Sequence, residues 1–242
     1  MKLEINATAE INGKSAAKCA ARLLNRTIRK NGEARLLVST GASQFAMFET
    51  LIKEDVDWTK VEMFHLDEYV GLPYEHPASF RKYLNERFIT HVPLKAAYLV
   101  NDNIPFLTEK INEKPIDVGL IGIGENGHIA FNDPPADFDT DEAYIIVDLD
   151  EKCKMQQVGE GWFENLDTVP NQAISMTVKQ IMKCTHIISV VPNAVKAEAI
   201  FNTLNEPVSN MVPATMLKTH PDWRLFIDYN SAAMIYNVGG VK

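Results

Sequence analysis

The stretch GIGENGHIAFNDPP (122–135) sets three glycines in G-x-G-x-x-G spacing, Gly122, Gly124 and Gly127, against His128, Asn132 and Asp133. Glycines so spaced after a strand can open a dinucleotide-binding helix whose free N–H groups meet a pyrophosphate. Here Pro134 and Pro135 follow too closely for a long helix to start in that register, and the motif lies mid-chain. A nucleotide turn is therefore rejected. A bare tight turn would account for the glycines but leaves the polar residues behind them without a reason. An imidazole with an unperturbed pKa of about 6.5 suits proton transfer at neutral pH. Asp133 or Asn126 is placed to fix the tautomer of His128 through its other ring nitrogen.

Two further polar clusters lie upstream. In FHLDEYVG (64–71) an apolar run ends in Asp67, Glu68 and Tyr69. At a solvated strand end such carboxylates are inert; desolvated and held, one of them can take a proton from carbon next to a carbonyl. In VSTGAS (38–43), Ser39, Thr40, Gly41, Ala42 and Ser43 stand between a strand and a helix. Hydroxyls and the free N–H groups of a helix start suit a phosphate. The spacing and lysine of a P-loop are missing, which argues against ATP or GTP and leaves a phosphate monoester. Lys196, near the start of a helix over 193–204, is the candidate countercharge. His65, Asp67, His128 and Asp133 are residue types that bind zinc or manganese, but they show no dedicated ligand spacing. No metal or other cofactor is expected.

The elements that must position these groups alternate. Apolar runs at 34–39, 61–68, 116–124, 143–149, 186–191 and 223–228 read as strands, and 15–30, 44–54, 78–89 and 193–204 read as helices, with Asn31-Gly32 as a stop and Ser79 as an N-cap. This predicts a single-domain α/β fold over 1–242, an open, mainly parallel, Rossmann-like sheet with helices on both faces. Ligands bind such sheets outside the carboxyl ends of the strands, where all three polar clusters fall. Residues 132–172 are the least regular and read as a lid or loop.

With a net charge of −8 the chain is not expected to bind nucleic acid or an anionic membrane. Cys19, Cys153 and Cys184 form no C-x-x-C pair, there is no long apolar run, and the N-terminus lacks a signal peptide's features. A cytoplasmic protein acting on a small molecule is expected, and assembly into a homo-oligomer is compatible with these features.

FHLDEYVGLPYEHPASFRKYLNERF (64–88) and GLIGIGENGHIAFNDP (119–134), with LLVSTGAS (36–43) ahead of them, resemble the signature regions of glucosamine-6-phosphate deaminases in order and spacing. The related 6-phosphogluconolactonases share the fold and a Gly-His turn but usually lack the D-E-Y-V-G-L continuation. The resemblance implies metal-free isomerisation and deamination of an amino-sugar phosphate, glucosamine 6-phosphate to fructose 6-phosphate and ammonia. It implies Asp67 as the base at C2, and His128 as the ring-opening group assisted by Asn126 and Asp133. Ser39, Thr40, Gly41, Ala42, Ser43 and Lys196 would hold the phosphate. A sugar-phosphate lactone hydrolase and a non-catalytic sugar-phosphate sensor are the alternatives.

The sequence also departs from that pattern. Asp133 stands where a glutamate is usual, so the loop must move inward or a water must bridge to His128. Ala42 and Gln44 replace a glycine and a proline. Gly161-Trp162-Phe163 stands where an arginine usually precedes an aromatic pair, with Lys152 or Lys154 as the nearby substitutes.

Overall fold

The computed structural model describes residues 1–101, 103–159 and 161–238. In chain order its elements are β1 (Lys2–Asn6), α1 (Ala9–Asn31), β2 (Ala34–Val38), α2 (Phe45–Leu51), β3 (Val61–His65), β4 (Asp67–Tyr69), α3 (Phe80–Arg87), β5 (Ala96–Tyr98) and α4 (Ile104–Asn112). They continue with β6 (Val118–Leu120), β7 (Tyr144–Asp148), α5 (Glu151–Gly159), β8 (Gln172–Met176), α6 (Val178–Ile181), β9 (His186–Val191), α7 (Ala197–Asn205), β10 (Trp223–Asp228) and α8 (Ala233–Val238).

Seven strands form one parallel sheet in the order β1-β10-β9-β6-β2-β3-β5. Successive side chains of each strand face opposite sides, and the core divides accordingly. Leu36 and Val38, Ile188 and Val190, and Phe226 join α1, α2 and α3 residues such as Leu24, Phe48 and Leu84 in one layer. Leu37, Ile187, Val191, Leu225 and Ile227 join Leu107 of α4, Ile181 of α6 and Ile200 of α7 in the other. Strands buried on both faces therefore read as continuous apolar runs, which is why the sequence showed them so plainly.

Local signals set the helix ends. Thr8 accepts from Ile11 N–H at the start of α1, and Gly32 N–H bonds the Ile28 carbonyl at its end. Ser79 Oγ accepts from Lys82 N–H, making it the N-cap of α3.

Three expectations need correction. The apolar run 61–68 is two strands: it leaves the parallel sheet after His65, and Asp67–Tyr69 then pairs with β8 in a separate sheet, order β4-β8-β7. The strand seen at 143–149 belongs to that antiparallel sheet, not to the parallel one, because its partner β8 follows it through a reversal rather than a crossover. Within 132–172, read as a lid or loop apart from the strand at 143–149, the chain also forms the helix α5. Helix α5 (EKCKMQQVG) escaped the sequence reading because only Cys153 and Gln157 of its face are buried, one of them polar.

Candidate active site

The four strands at the middle of the parallel sheet hand over to the site in register. Ser39 N–H bonds the Leu120 carbonyl, Leu66 N–H the Val38 carbonyl, and Ile121 N–H the Ile188 carbonyl, so the ladder runs to the carboxyl ends of β2, β3, β6 and β9. The chain also reverses its direction of spread there: β2, β3 and β5 lie on one side of β6, while β9 and β10 lie on the other. A crevice opens at such a point. It is a cavity of about 110 Å³ lined by Ser39–Gln44, Leu66, Asp67, Gly122–Gly124, His128 and Lys196, with Phe80, Ala130, Phe131, Gln156, Gln157 and Trp162 closing it. All three polar clusters of the sequence thus converge.

Asp67 occupies the first position beyond the switch from the large sheet to the small one. Its neighbour Leu66 accepts from Met176 N–H, and Asp67 itself faces Ser175 across the antiparallel pair. It is 5% exposed, and Oδ1 has no hydrogen-bond partner among the described residues. Burial, and then the charge of Glu68, push its carboxyl up to about 8. Glu68 is buried rather than solvated. It accepts from Tyr69 N–H, Ser79 Oγ–H, Phe80 N–H and Arg81 N–H, and pairs with Arg81 Nε at 3.2 Å. The two adjacent carboxylates therefore differ in kind: one organises the start of α3, and the other is left unpaired in the cavity.

The glycine turn carries the imidazole. A Cβ on Gly124 would sit 2.2 Å from His128 Nε2 and Cε1, so only glycine lets the ring lie over the turn. His128 Nδ1 is 3.0 Å from Asp133 Oδ1, and Asn126 clamps the pair, donating to Asp133 Oδ1 at 2.9 Å and accepting from His128 N–H at 3.0 Å. Burial alone would raise the Asp133 carboxyl, but His128 and Asn126 outweigh it and bring it below its ordinary value. The shorter side chain thus reaches His128 directly, so no bridging water is needed. Asn132 plays a different part, tying the turn to β8 through the Ile129 and Met176 carbonyls and Ser175 Oγ. No helix follows Gly127; the chain instead forms a bridge between Ile129 and Asn132, as the prolines require.

The loop after β2 turns at Gly41 (φ +106°), a conformation that favours glycine. Gly41 also accepts from the Tyr83 hydroxyl at 3.0 Å. Lys196 arrives from the other side of the sheet, just past Asn193, whose positive φ (81°) is held by a bond from its N–H to Asp228 Oδ1. Lys196 is buried in the cavity wall. Beyond that wall lies an outer chamber of about 820 Å³ that shares Ala42, Ser43, Gln156 and Lys196 with the cavity and adds Lys152. Lys154 is turned instead to Asn171, 2.6 Å away. His65 is buried behind the site, its Nδ1 accepting from Val100 N–H, and burial drives its pKa down to about 3.

A family model described as glucosamine-6-phosphate isomerases/6-phosphogluconolactonase matches residues 7–225. The chain belongs to that family. A glucosamine-6-phosphate deaminase of Streptococcus pneumoniae serotype 4 is 34% identical over 212 residues, covering 85% of this chain and 89% of the relative. The solved structure of a monomeric glucosamine-6-phosphate deaminase superposes with a TM-score of 0.88 at 28% identity, covering 97% of this chain and all of that one. A 6-phosphogluconolactonase from Trypanosoma brucei shares the fold, with a TM-score of 0.79 at 13% identity and coverage of 97% and 98%.

Within this family fold, the sequence reading missed the wall formed by Gln44, Gln156, Gln157 and Trp162. Gln44 adjoins the recognised loop, and its position was the available signal. The others sit on or just after α5, where no apolar periodicity marks them. Among the described residues no helix is long and apolar enough to cross a membrane.

Proposed function

We propose that the protein converts glucosamine 6-phosphate and water into fructose 6-phosphate and ammonia, a step in amino-sugar breakdown. The observation that carries this reading is a buried, unpaired Asp67 carboxylate sharing one cavity with an imidazole–carboxylate pair and a phosphate-type loop. The relatives named above support the substrate.

The phosphate is held by the loop 40–43 and by Lys196, with Ser39 at the loop's inner end. Asp133 and Asn126 orient His128 so that Nδ1 faces the carboxylate, which leaves Nε2 to carry the proton between the sugar's O1 and O5 as the ring opens. Asp67 then removes the proton from C2, giving an enolamine, and returns it to C1. The resulting C2 iminium adds water and expels ammonia, which leaves the ketose. A carboxylate raised toward 8 is a stronger base than an ordinary aspartate, as removal of a carbon-bound proton requires. Three free, buried cysteines and a sugar-phosphate substrate accord with a cytoplasmic enzyme.

The test is simultaneous assay of ammonia and fructose 6-phosphate, with Asp67→Asn alongside. Equimolar release that is abolished in the variant is expected. Hydrolysis of a 6-phosphogluconolactone that survives Asp67→Asn would overturn the reading in favour of a lactonase. Ligand-induced stabilisation without turnover of either compound would make the protein a sensor.

A further inference from the structure

Besides His128 Nδ1, which faces Asp133 Oδ1 at 3.0 Å, three buried side-chain atoms in the cavity wall have no hydrogen-bond partner among the described residues: Asp67 Oδ1, Ser39 Oγ and Gln44 Oε1. The first is accounted for by the chemistry above. The other two belong to side chains that line the cavity beside Gly122, where an added Cβ would be 3.6 Å from Gln44 Nε2 and 3.7 Å from Ser39 Oγ. Ser39 is 4% and Gln44 1% exposed. The Gln44 carboxamide is oriented by its Nε2–H, which donates to the Val190 carbonyl at 3.2 Å and leaves Oε1 over. A buried acceptor without a donor is costly, and a ligand that brings a donor to it relieves that cost.

A carbonyl oxygen repels a phosphate dianion, so Gln44 Oε1 does not belong to the phosphate loop it adjoins. We propose that Gln44 Oε1 and Ser39 Oγ recognise a hydroxyl on the middle of the sugar chain and thereby set which sugar phosphate is accepted. The proposal rests on the substrate reading above. With the phosphate at 40–43 and C1 and C2 at His128 and Asp67, the atoms passing Gly122 are those of the intervening carbons. The C3 and C4 hydroxyls are the donors on offer. A site built to bond a hydroxyl rejects the analogue that lacks it far more strongly than an apolar wall does.

The experiment is a thermodynamic cycle by titration calorimetry in the Asp67→Asn background, which blocks turnover. Glucosamine 6-phosphate and its 3-deoxy and 4-deoxy analogues are bound to that protein and to versions also carrying Gln44→Met or Ser39→Ala. The parent is expected to lose at least tenfold in affinity for one deoxy analogue, and most of that difference should vanish in both variants, since the two losses report one contact. Ser39→Ala keeps the test open should Gln44→Met, which also loses the Val190 bond, fail to fold. Equal weakening toward all three ligands would overturn the proposal, as would failure of all three to bind. A collapsing difference, combined with no ammonia release by the wild-type protein, would uphold hydroxyl recognition and remove the deaminase reading alone.

Discussion

Asp133 Oδ1 lies 3.0 Å from His128 Nδ1, with Asn126 Nδ2–H donating to the same oxygen from 2.9 Å. That oxygen is therefore committed to orienting the imidazole, and in the proposed mechanism the proton at carbon is left to Asp67. Asp133→Asn keeps the size of the side chain and removes its charge. It is expected to lower kcat/KM by about 10²-fold, within the usual span for an acid–base group, with little change in melting temperature. A variant of unchanged activity would show that His128 needs no oriented partner.

The Asp67 carboxyl, raised to about 8, gives the enzyme a pH signature. The base is competent only when ionised, so kcat/KM should climb with pH along a limb centred near 8. Glu68→Gln removes the second cause of the shift and should move that limb to lower pH. A rising limb in the ordinary carboxylate range for the wild-type protein would contradict the assignment.

The same group makes a prediction about stability. Between the ordinary aspartate value and about 8, the folded protein holds a proton that the unfolded chain releases. Asp67's contribution is therefore present at low pH and is lost as pH rises toward 8. Asp67→Asn has no charge to bury, so its melting temperature should exceed that of the wild-type protein at pH 9 by roughly 2–4 °C or more, and the gap should be much smaller at pH 5, closing only below the ordinary aspartate value. Thermal unfolding at the two pH values reads it directly, and a gap that does not change with pH would speak against a charged, buried Asp67.

How far the sequence revealed this site depended on what each residue needed from its neighbours. Asp67, His128 and the 39–43 loop were visible because each follows an apolar run at the end of a strand buried on both faces. The break at Leu66 was not, because a single residue separates β3 from β4 and no turn residue marks the change from one sheet to the other. Gln156 and Gln157 lie on a helix with almost no apolar face, so their place in the wall follows from tertiary packing alone. Glu68 and Asp67 are indistinguishable by type; only the folded start of α3, which supplies the donors to Glu68, separates their roles.

Tyr83 links that helix to the phosphate loop through its hydroxyl bond to the Gly41 carbonyl. Its ring also stacks on Phe45 with centroids 5.6 Å apart, so Tyr83→Phe removes the bond while keeping the packing. One neutral hydrogen bond is worth about 0.5–1.5 kcal/mol, so KM should rise by roughly 2–10-fold with kcat nearly unchanged. A fall in kcat at constant KM would mean that the loop serves the chemical step rather than binding.

Gly124→Ala isolates the imidazole's position without altering any titratable group. The new methyl would need to occupy a point 2.2 Å from the His128 ring, far inside contact distance, so the ring must be displaced from Asp133. Because the clash is with a side chain at the cavity's edge and not with the core, the protein should still fold. Activity should drop to the level of His128→Ala, about 10²–10⁴-fold below wild type, and combining the two changes should cost no more than either alone. Losses that multiply in the double variant would show that Gly124 acts on the reaction by a route other than His128.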